Sequence, residues 1–148
     1  MELNRLHHVG IVMNEPERVE RFMQVFGLTE DYREYVPEYH AMCIFTKLDG
    51  TTLELIVPDG GVLREYNGGK GGLHHIAFCV EDVEKTRAEF EARGLDMLEP
   101  AAVKGAGPIL VNFLRPRAGA GILIEFVETT GAYERQERTE KSVRSCLW

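Results

Sequence analysis

Cysteine is scarce in this chain, and what there is does not pair. Cys43, Cys79 and Cys146 show no C-x-x-C spacing, so neither a disulfide framework nor a zinc cage is expected, and Cys43 and Cys79 read as core strand residues. Positive charge is also in deficit. With 17 Lys and Arg against 24 Asp and Glu and a formal net charge of -7, the chain is not expected to bind nucleic acid, which needs clustered Lys and Arg to meet phosphates. No apolar run approaches the length of a membrane span, and the N-terminus lacks the basic-then-apolar pattern of a signal peptide. The expectation is a cytoplasmic protein without a membrane partner. Histidine numbers only five, yet four of the five stand in two adjacent pairs.

Those pairs belong to a phrase that occurs twice. Leu6-His7-His8-Val9-Gly10-Ile11-Val12-Met13 returns as Leu73-His74-His75-Ile76-Ala77-Phe78-Cys79-Val80, which suggests two copies of one fold unit. The segments that follow repeat as well. After the first phrase, Asn14 offers a helix cap, Pro16 suits an early helical position, and Val19, Phe22, Met23 and Phe26 recur at helical spacing before Gly27. Strand patterns follow at Thr29 to Val36, Ala41 to Phe45 and, after the Asp49-Gly50 turn, Thr52 to Val57, with Pro58 as a stop. After the second phrase, Glu81-Asp82 opens a helix that Gly94 ends, and strands are expected near Leu95 to Leu98, at Ile109 to Leu114 and at Gly121 to Val127. Ala101 to Pro108 reads as a small-residue loop.

The reading is therefore an α+β chain of two βαβββ modules in tandem, over residues 5–58 and 73–128 of one 5–128 domain. The glycine-rich stretch 59–72 links them, with a short helix around Val62 to Tyr66, and 129–148 is a charged tail. At 148 residues the chain is long enough to bury one substantial core.

The chemistry lies in what recurs with the histidines. His8 to His75 is 67 positions (75 minus 8), and Glu54 to Glu125 is 71 (125 minus 54). Each Glu interrupts an otherwise apolar last strand, between Leu53 and Leu55 or between Ile124 and Phe126. A carboxylate there faces the opposite side from its neighbours, and on a closed, dry face it is costly without a cation. Singly, each of these groups reads as structural or solvated. Together His8, Glu54, His75 and Glu125 offer two neutral nitrogens and two anionic oxygens, a set suited to one divalent transition metal with positions left for substrate. Cobalt, nickel, manganese, iron and zinc all accept such a set. Strand alternation sends His7 and His74 to the other face, as backbone-facing or supporting groups. His40 reads as a surface residue.

At these residues the chain resembles the vicinal oxygen chelate (glyoxalase/bleomycin resistance) superfamily, over residues 5 to 128. Asn67 to Ala77, Leu53-Glu54-Leu55 with Pro58, and Gly121 to Glu125 resemble its methylmalonyl-CoA epimerase branch most closely. The resemblance implies a cupped, mostly antiparallel sheet around a metal held by His8, Glu54, His75 and Glu125. It further implies an isomerase acting by proton abstraction beside a carbonyl of methylmalonyl-CoA or a related acyl-CoA thioester, and a homodimer. Glu54 and Glu125 are expected to approach opposite faces of the enolate, one taking the proton and the other returning it. Two departures stand out: Ala41-Met42-Cys43-Ile44 carries no carboxylate where some epimerases have a catalytic Glu, and Lys104 to Pro108 matches their loop only loosely. Glyoxalase I chemistry on a glutathione hemithioacetal, a non-haem iron dioxygenase and a non-catalytic binding module are the alternatives.

Overall fold

In the computed structural model, which describes Leu3 and residues 5–130, eight strands form one curled sheet. The elements are β1 (Leu6–Val12), α1 (Pro16–Phe26), β2 (Thr29–Val36), β3 (Ala41–Lys47), β4 (Thr52–Pro58), α2 (Gly61–Arg64), β5 (Gly72–Cys79), α3 (Val83–Ala92), β6 (Val103–Lys104), β7 (Ile109–Leu114) and β8 (Leu123–Thr129). A single 3-10 turn at Pro37–Tyr39 joins β2 to β3. Strand order is β2-β3-β4-β1-β5-β8-β7-β6. The first strands of the two modules meet antiparallel at the centre, β1 against β5, while β1–β4 and β5–β8 are parallel. The sheet is thus mixed and mostly antiparallel.

Alternation along the strands sorts the two faces. Leu55 and Ile44 point to one side and pack beneath α1 with Val19, Phe22 and Met23. Phe126 and Leu114 do the same beneath α3, where Phe90 stacks on Phe126 at 5.1 Å between ring centroids. Leu55 is 0% exposed, and burying such a side chain contributes about 1.5–3 kcal/mol. The residues between these, Cys43, Phe45, Ile56, Val111, Phe113 and Val127, share the opposite face and form the core of the cup.

Several local expectations are corrected. Asn14 does not cap α1, whose N-cap is Glu15 without a side-chain bond; its amide instead donates to the carbonyls of Gly69 and Arg64 and ties down the linker. Asp82 does cap α3, accepting from the Lys85 N–H at 2.8 Å. No strand forms over Leu95 to Leu98. Only Met97 bridges to Leu114, and the strand beside β7 is the two-residue β6 inside the expected small-residue loop. The segment bonds to β7 only in part, Leu98 N–H to the Phe113 carbonyl at 2.7 Å and Arg115 N–H to the Asp96 carbonyl at 3.4 Å, because the Asn112 side chain takes the Glu99 N–H and carbonyl that would continue the pairing. The last strand begins at Leu123, because residues 116–121 form a turn with Ala120 at φ +57°, and it runs through Thr129. The rest of the expected tail, residues 131–148, lies outside the described residues. No helix is long and apolar enough to cross a membrane among the described residues.

Candidate metal centre

The parallel strand pairs at the sheet centre set the site. In β1–β4, Glu54 stands opposite Gly10, two residues beyond His8; in β5–β8, Glu125 stands opposite Ala77, two residues beyond His75. The antiparallel β1–β5 pair then lays His8 across from Ala77 and His75 across from Gly10. Small residues opposite both imidazoles leave them room. At Gly10 the fit is tight, since an added Cβ would fall 2.2 Å from His75 Cε1. Four buried side chains from four strands therefore converge on one point, with residue exposures of 1% for His8, 6% for Glu54, 3% for His75 and 4% for Glu125.

The distances are short throughout. His8 Nε2 lies 2.9 Å from His75 Nε2, 3.1 Å from Glu54 Oε2 and 2.9 Å from Glu125 Oε2. His75 Nε2 lies 3.2 Å from Glu54 Oε2 and 2.9 Å from Glu125 Oε2. The four donor atoms all fall within 4.8 Å of one another. Two ligands held at right angles about 2.1 Å from one ion stand about 3 Å apart, which matches these separations. Glu125 Oε2 is buried and receives no hydrogen bond of proper direction despite its two near nitrogens. A buried set of two imidazoles and two carboxylates, with one carboxylate oxygen left unbonded, fits a divalent transition metal, and these four residues would hold it.

Without an ion the cluster stabilises its own charges. Burial by itself would lower both histidines, but Glu125 and Glu54 outweigh it, raising His8 to about 10 and His75 to about 8. Burial would likewise raise the carboxyls, yet His8 and His75 hold Glu125 down to about 2 and Glu54 well below the usual carboxylate range. A metal replaces these protons, so the same field that favours imidazolium favours a cation.

Several supporting groups have no signature in a single strand pattern. His7 and His74 do not turn away: each ring brings Nδ1 to the Nδ1 of its neighbour, at 2.8 Å for His7–His8 and 2.9 Å for His74–His75. Each can fix the tautomer and orientation of the imidazole beside it. Phe45 sits edge-on to His8 at 5.1 Å and Phe113 edge-on to His75 at 5.9 Å between centroids, in matched positions opposite Glu54 and Glu125. The recurrence of Phe one strand before each Glu was a readable signal. Cys43 is buried as expected, but it borders the cavity beside Glu54, and burial followed by that carboxylate pushes its thiol up. His40 is exposed at the end of the 3-10 turn.

A cavity of about 300 Å³ opens over the cluster, with Glu54, His75 and Glu125 in its floor and mainly apolar walls that include Ile56, Val111 and Leu98. The loop after β6 closes one side. Glu34 on β2 accepts from Lys104 Nζ at 2.7 Å and from the Gly107 N–H at 2.5 Å, and the Tyr32 hydroxyl donates to the Ala106 carbonyl at 3.2 Å. Gly107 has φ +77°, and a Cβ there would collide with the Tyr32 ring, so glycine is required for this join between modules.

The site and the sheet define a class: paired-module proteins that gather two His and two acidic side chains in a cup. The chain belongs to the Glyoxalase/Bleomycin resistance protein/Dioxygenase superfamily, whose family model matches residues 7–113. Among its relatives, the mitochondrial methylmalonyl-CoA epimerase of Dictyostelium discoideum is 29% identical over 131 residues, covering 85% of this chain and 79% of that protein. The ethylmalonyl-CoA/methylmalonyl-CoA epimerase of Cereibacter sphaeroides is 29% identical, covering 83% of this chain and 96% of that one. A similar solved structure is a Streptomyces coelicolor methylmalonyl-CoA epimerase variant in complex with 2-nitronate-propionyl-CoA, with a TM-score of 0.78 and 26% identity over 88% of this chain and all of that one.

Proposed function

We propose that this chain is a metal-dependent isomerase that exchanges the proton beside a carbonyl, epimerising methylmalonyl-CoA or a related acyl-CoA thioester. The observation that carries the reading is the convergence of His8, Glu54, His75 and Glu125 at the floor of an apolar cavity. The similarity to named methylmalonyl-CoA epimerases supports the substrate class. Those four residues would hold a divalent ion such as cobalt, nickel, manganese, iron or zinc, which would supply positive charge for a developing enolate oxygen without reorganisation.

The protein's own residues do the rest. Ile56, Val111 and Leu98 exclude water from the acyl group, and a cavity of about 300 Å³ suits that group while the nucleotide end of CoA stays outside. Glu54 and Glu125 are the proposed proton carriers, on opposite faces of the planar enolate. Ligation and the paired imidazoles would keep both weakly basic, so the Glu that acts would be the one less firmly held. With Cys43 on β3 bordering the cavity, no carboxylate from that strand shares the work. That same feature favours one second reading, a glyoxalase I-like lyase for a glutathione hemithioacetal, in which the two Glu alone move the proton.

One domain of two modules, a cytoplasmic location and homodimerisation complete the proposal. Exposed Val25 and Phe26 on α1 supply apolar surface for a second copy, and Cys43 and Cys79, neither of them in a disulfide, suit a reducing compartment. The test is metal analysis followed by incubation in D₂O with methylmalonyl-CoA and, separately, with the hemithioacetal. Deuterium entering the thioester supports the epimerase, and turnover of the hemithioacetal alone supports the lyase. Bound metal with neither reaction contradicts both.

A further inference from the structure

The two-carboxylate scheme asks two ligating groups to leave the ion in turn, whereas the cavity wall holds an acidic group tied to no part of the cluster. Glu99 lines the cavity from the second module. It is half-buried, and its placement is built with unusual care. Asn112, 0% exposed on β7, accepts the Glu99 N–H through Oδ1 at 3.1 Å and donates from Nδ2 to the Glu99 carbonyl at 3.0 Å. The preceding Leu98 N–H donates to the Phe113 carbonyl at 2.7 Å. A fully buried amide is costly unless satisfied, and this one is satisfied by clamping both backbone groups of Glu99. From the other module the Tyr39 hydroxyl donates to Glu99 Oε1 at 3.4 Å. Burial, then Glu99 and Glu125, push the Tyr39 phenol up, so it stays a donor.

The other titratable groups on the wall are less suited to carry a proton. Cys43 is buried on β3 and offers a thiol, not a carboxylate. His74 has its Nδ1 committed to His75 Nδ1 at 2.9 Å. Glu38 is exposed on the 3-10 turn and has no such clamp.

We propose that Glu99 is a catalytic carboxylate that takes or returns the substrate proton on the enolate face turned to the cavity wall, so that only one of Glu54 and Glu125 need loosen from the ion. In one direction the carbon–hydrogen bond breaks, its electron pair enters the carbonyl as the enolate, and the proton goes to a Glu99 oxygen. A proton carried by the ligating Glu on the opposite face then forms the new carbon–hydrogen bond and inverts the centre. In the other direction the roles exchange, and solvent resets both carboxyls. Tyr39 and Asn112 are positioning residues for Glu99.

The inference rests on the isomerase reading, and one experiment separates their failures. Each epimer of methylmalonyl-CoA is incubated in D₂O with metal-loaded wild-type protein, Glu99→Gln and Glu99→Asp, and deuterium at the substrate carbon is followed by mass spectrometry. General acid–base groups contribute about 10²–10⁴-fold. Glu99→Gln should lose at least about 100-fold of the exchange from one epimer while keeping that of the other within about 3-fold. Metal content and the affinity for a non-reacting acyl-CoA analogue should be unchanged, and Glu99→Asp should recover part of the loss. Equal exchange from both epimers, equal loss from both, or loss of metal overturns the assignment of Glu99. Wild-type protein that exchanges neither epimer overturns the isomerase reading and this inference with it.

Discussion

The inner strands of the two modules superimpose in their logic, while the outer ones differ. In each module a His on the first strand, a small residue two positions on, a Glu on the parallel partner and a Phe across from that Glu recur in the same register. Beyond them, the first module has an eight-residue β2 paired along β3, and the second has only the two-residue β6. The missing ladder is replaced by the Asn112 amide and the Met97 bridge, and this irregular wall is what brings Glu99 to the cavity. Symmetry builds the four-residue cluster, and its breakdown shapes the cavity wall beside it.

The largest effects should come from breaking the symmetric part. His8→Ala and His75→Ala should each cost about 3 kcal/mol or more in metal affinity, on the order of a hundredfold, if the binding energy is shared among four ligands. Calorimetric titration with cobalt or zinc should find the two losses equal within about threefold. A tenfold difference would mean that one module dominates. Gly10→Ala comes next. Its new Cβ would collide with the His75 ring, and displacing a ligand in this way should cost about 10–100-fold in affinity, whereas Ala77→Gly on the matched position should leave affinity intact.

The asymmetric wall should show in stability rather than metal binding. Asn112→Ala leaves the Glu99 N–H and carbonyl without partners and should destabilise the fold by about 2–3 kcal/mol. Urea unfolding measures that cost, and a change below about 0.5 kcal/mol would remove the clamp from the account.

The smallest effect separates the cluster from the rest through pH. In metal-free protein, the raised histidines contribute stability that is fully present below about pH 6.5 and lost as pH rises through about 8 for His75 and toward about 10 for His8. The lowered carboxyls contribute stability present above about pH 4.5 and lost as pH falls toward about 2 for Glu125. Chelator-treated protein should therefore melt highest between about pH 4.5 and 6.5, and added metal should stabilise it most above pH 8. Thermal melts across pH with and without metal test this. Metal-free stability that climbs from pH 6 to 9 would contradict the assigned charges.

Much of the inner architecture was legible because it is periodic. The doubled His-His phrase and the two Glu in apolar strands are separated by nearly constant offsets, and strand period fixes which face they share. What could not be read is whatever depends on contacts between strands. His7 and His74 look outward-facing by alternation, yet each falls at a register shift, between Leu6 and His8 and between Gly10 and Ile11 of the β1–β5 pairing, and the width of imidazole brings the neighbours together. The strand expected over Leu95 to Leu98 fails because the Asn112 side chain, not the β7 backbone, takes the Glu99 N–H and carbonyl. Asn112 reads as an ordinary polar residue in a strand, since nothing local reveals that its amide replaces a missing ladder. Glu99 was missed for the same reason.

The most direct test of the account is X-ray absorption on the protein loaded with one equivalent of cobalt. The four-residue cluster should give a nitrogen and oxygen shell with the scattering of two imidazoles per ion, falling to one in either His8→Ala or His75→Ala. A sulfur neighbour from Cys43, or a spectrum unchanged by both substitutions, would show that the four-residue cluster is not where the ion is held.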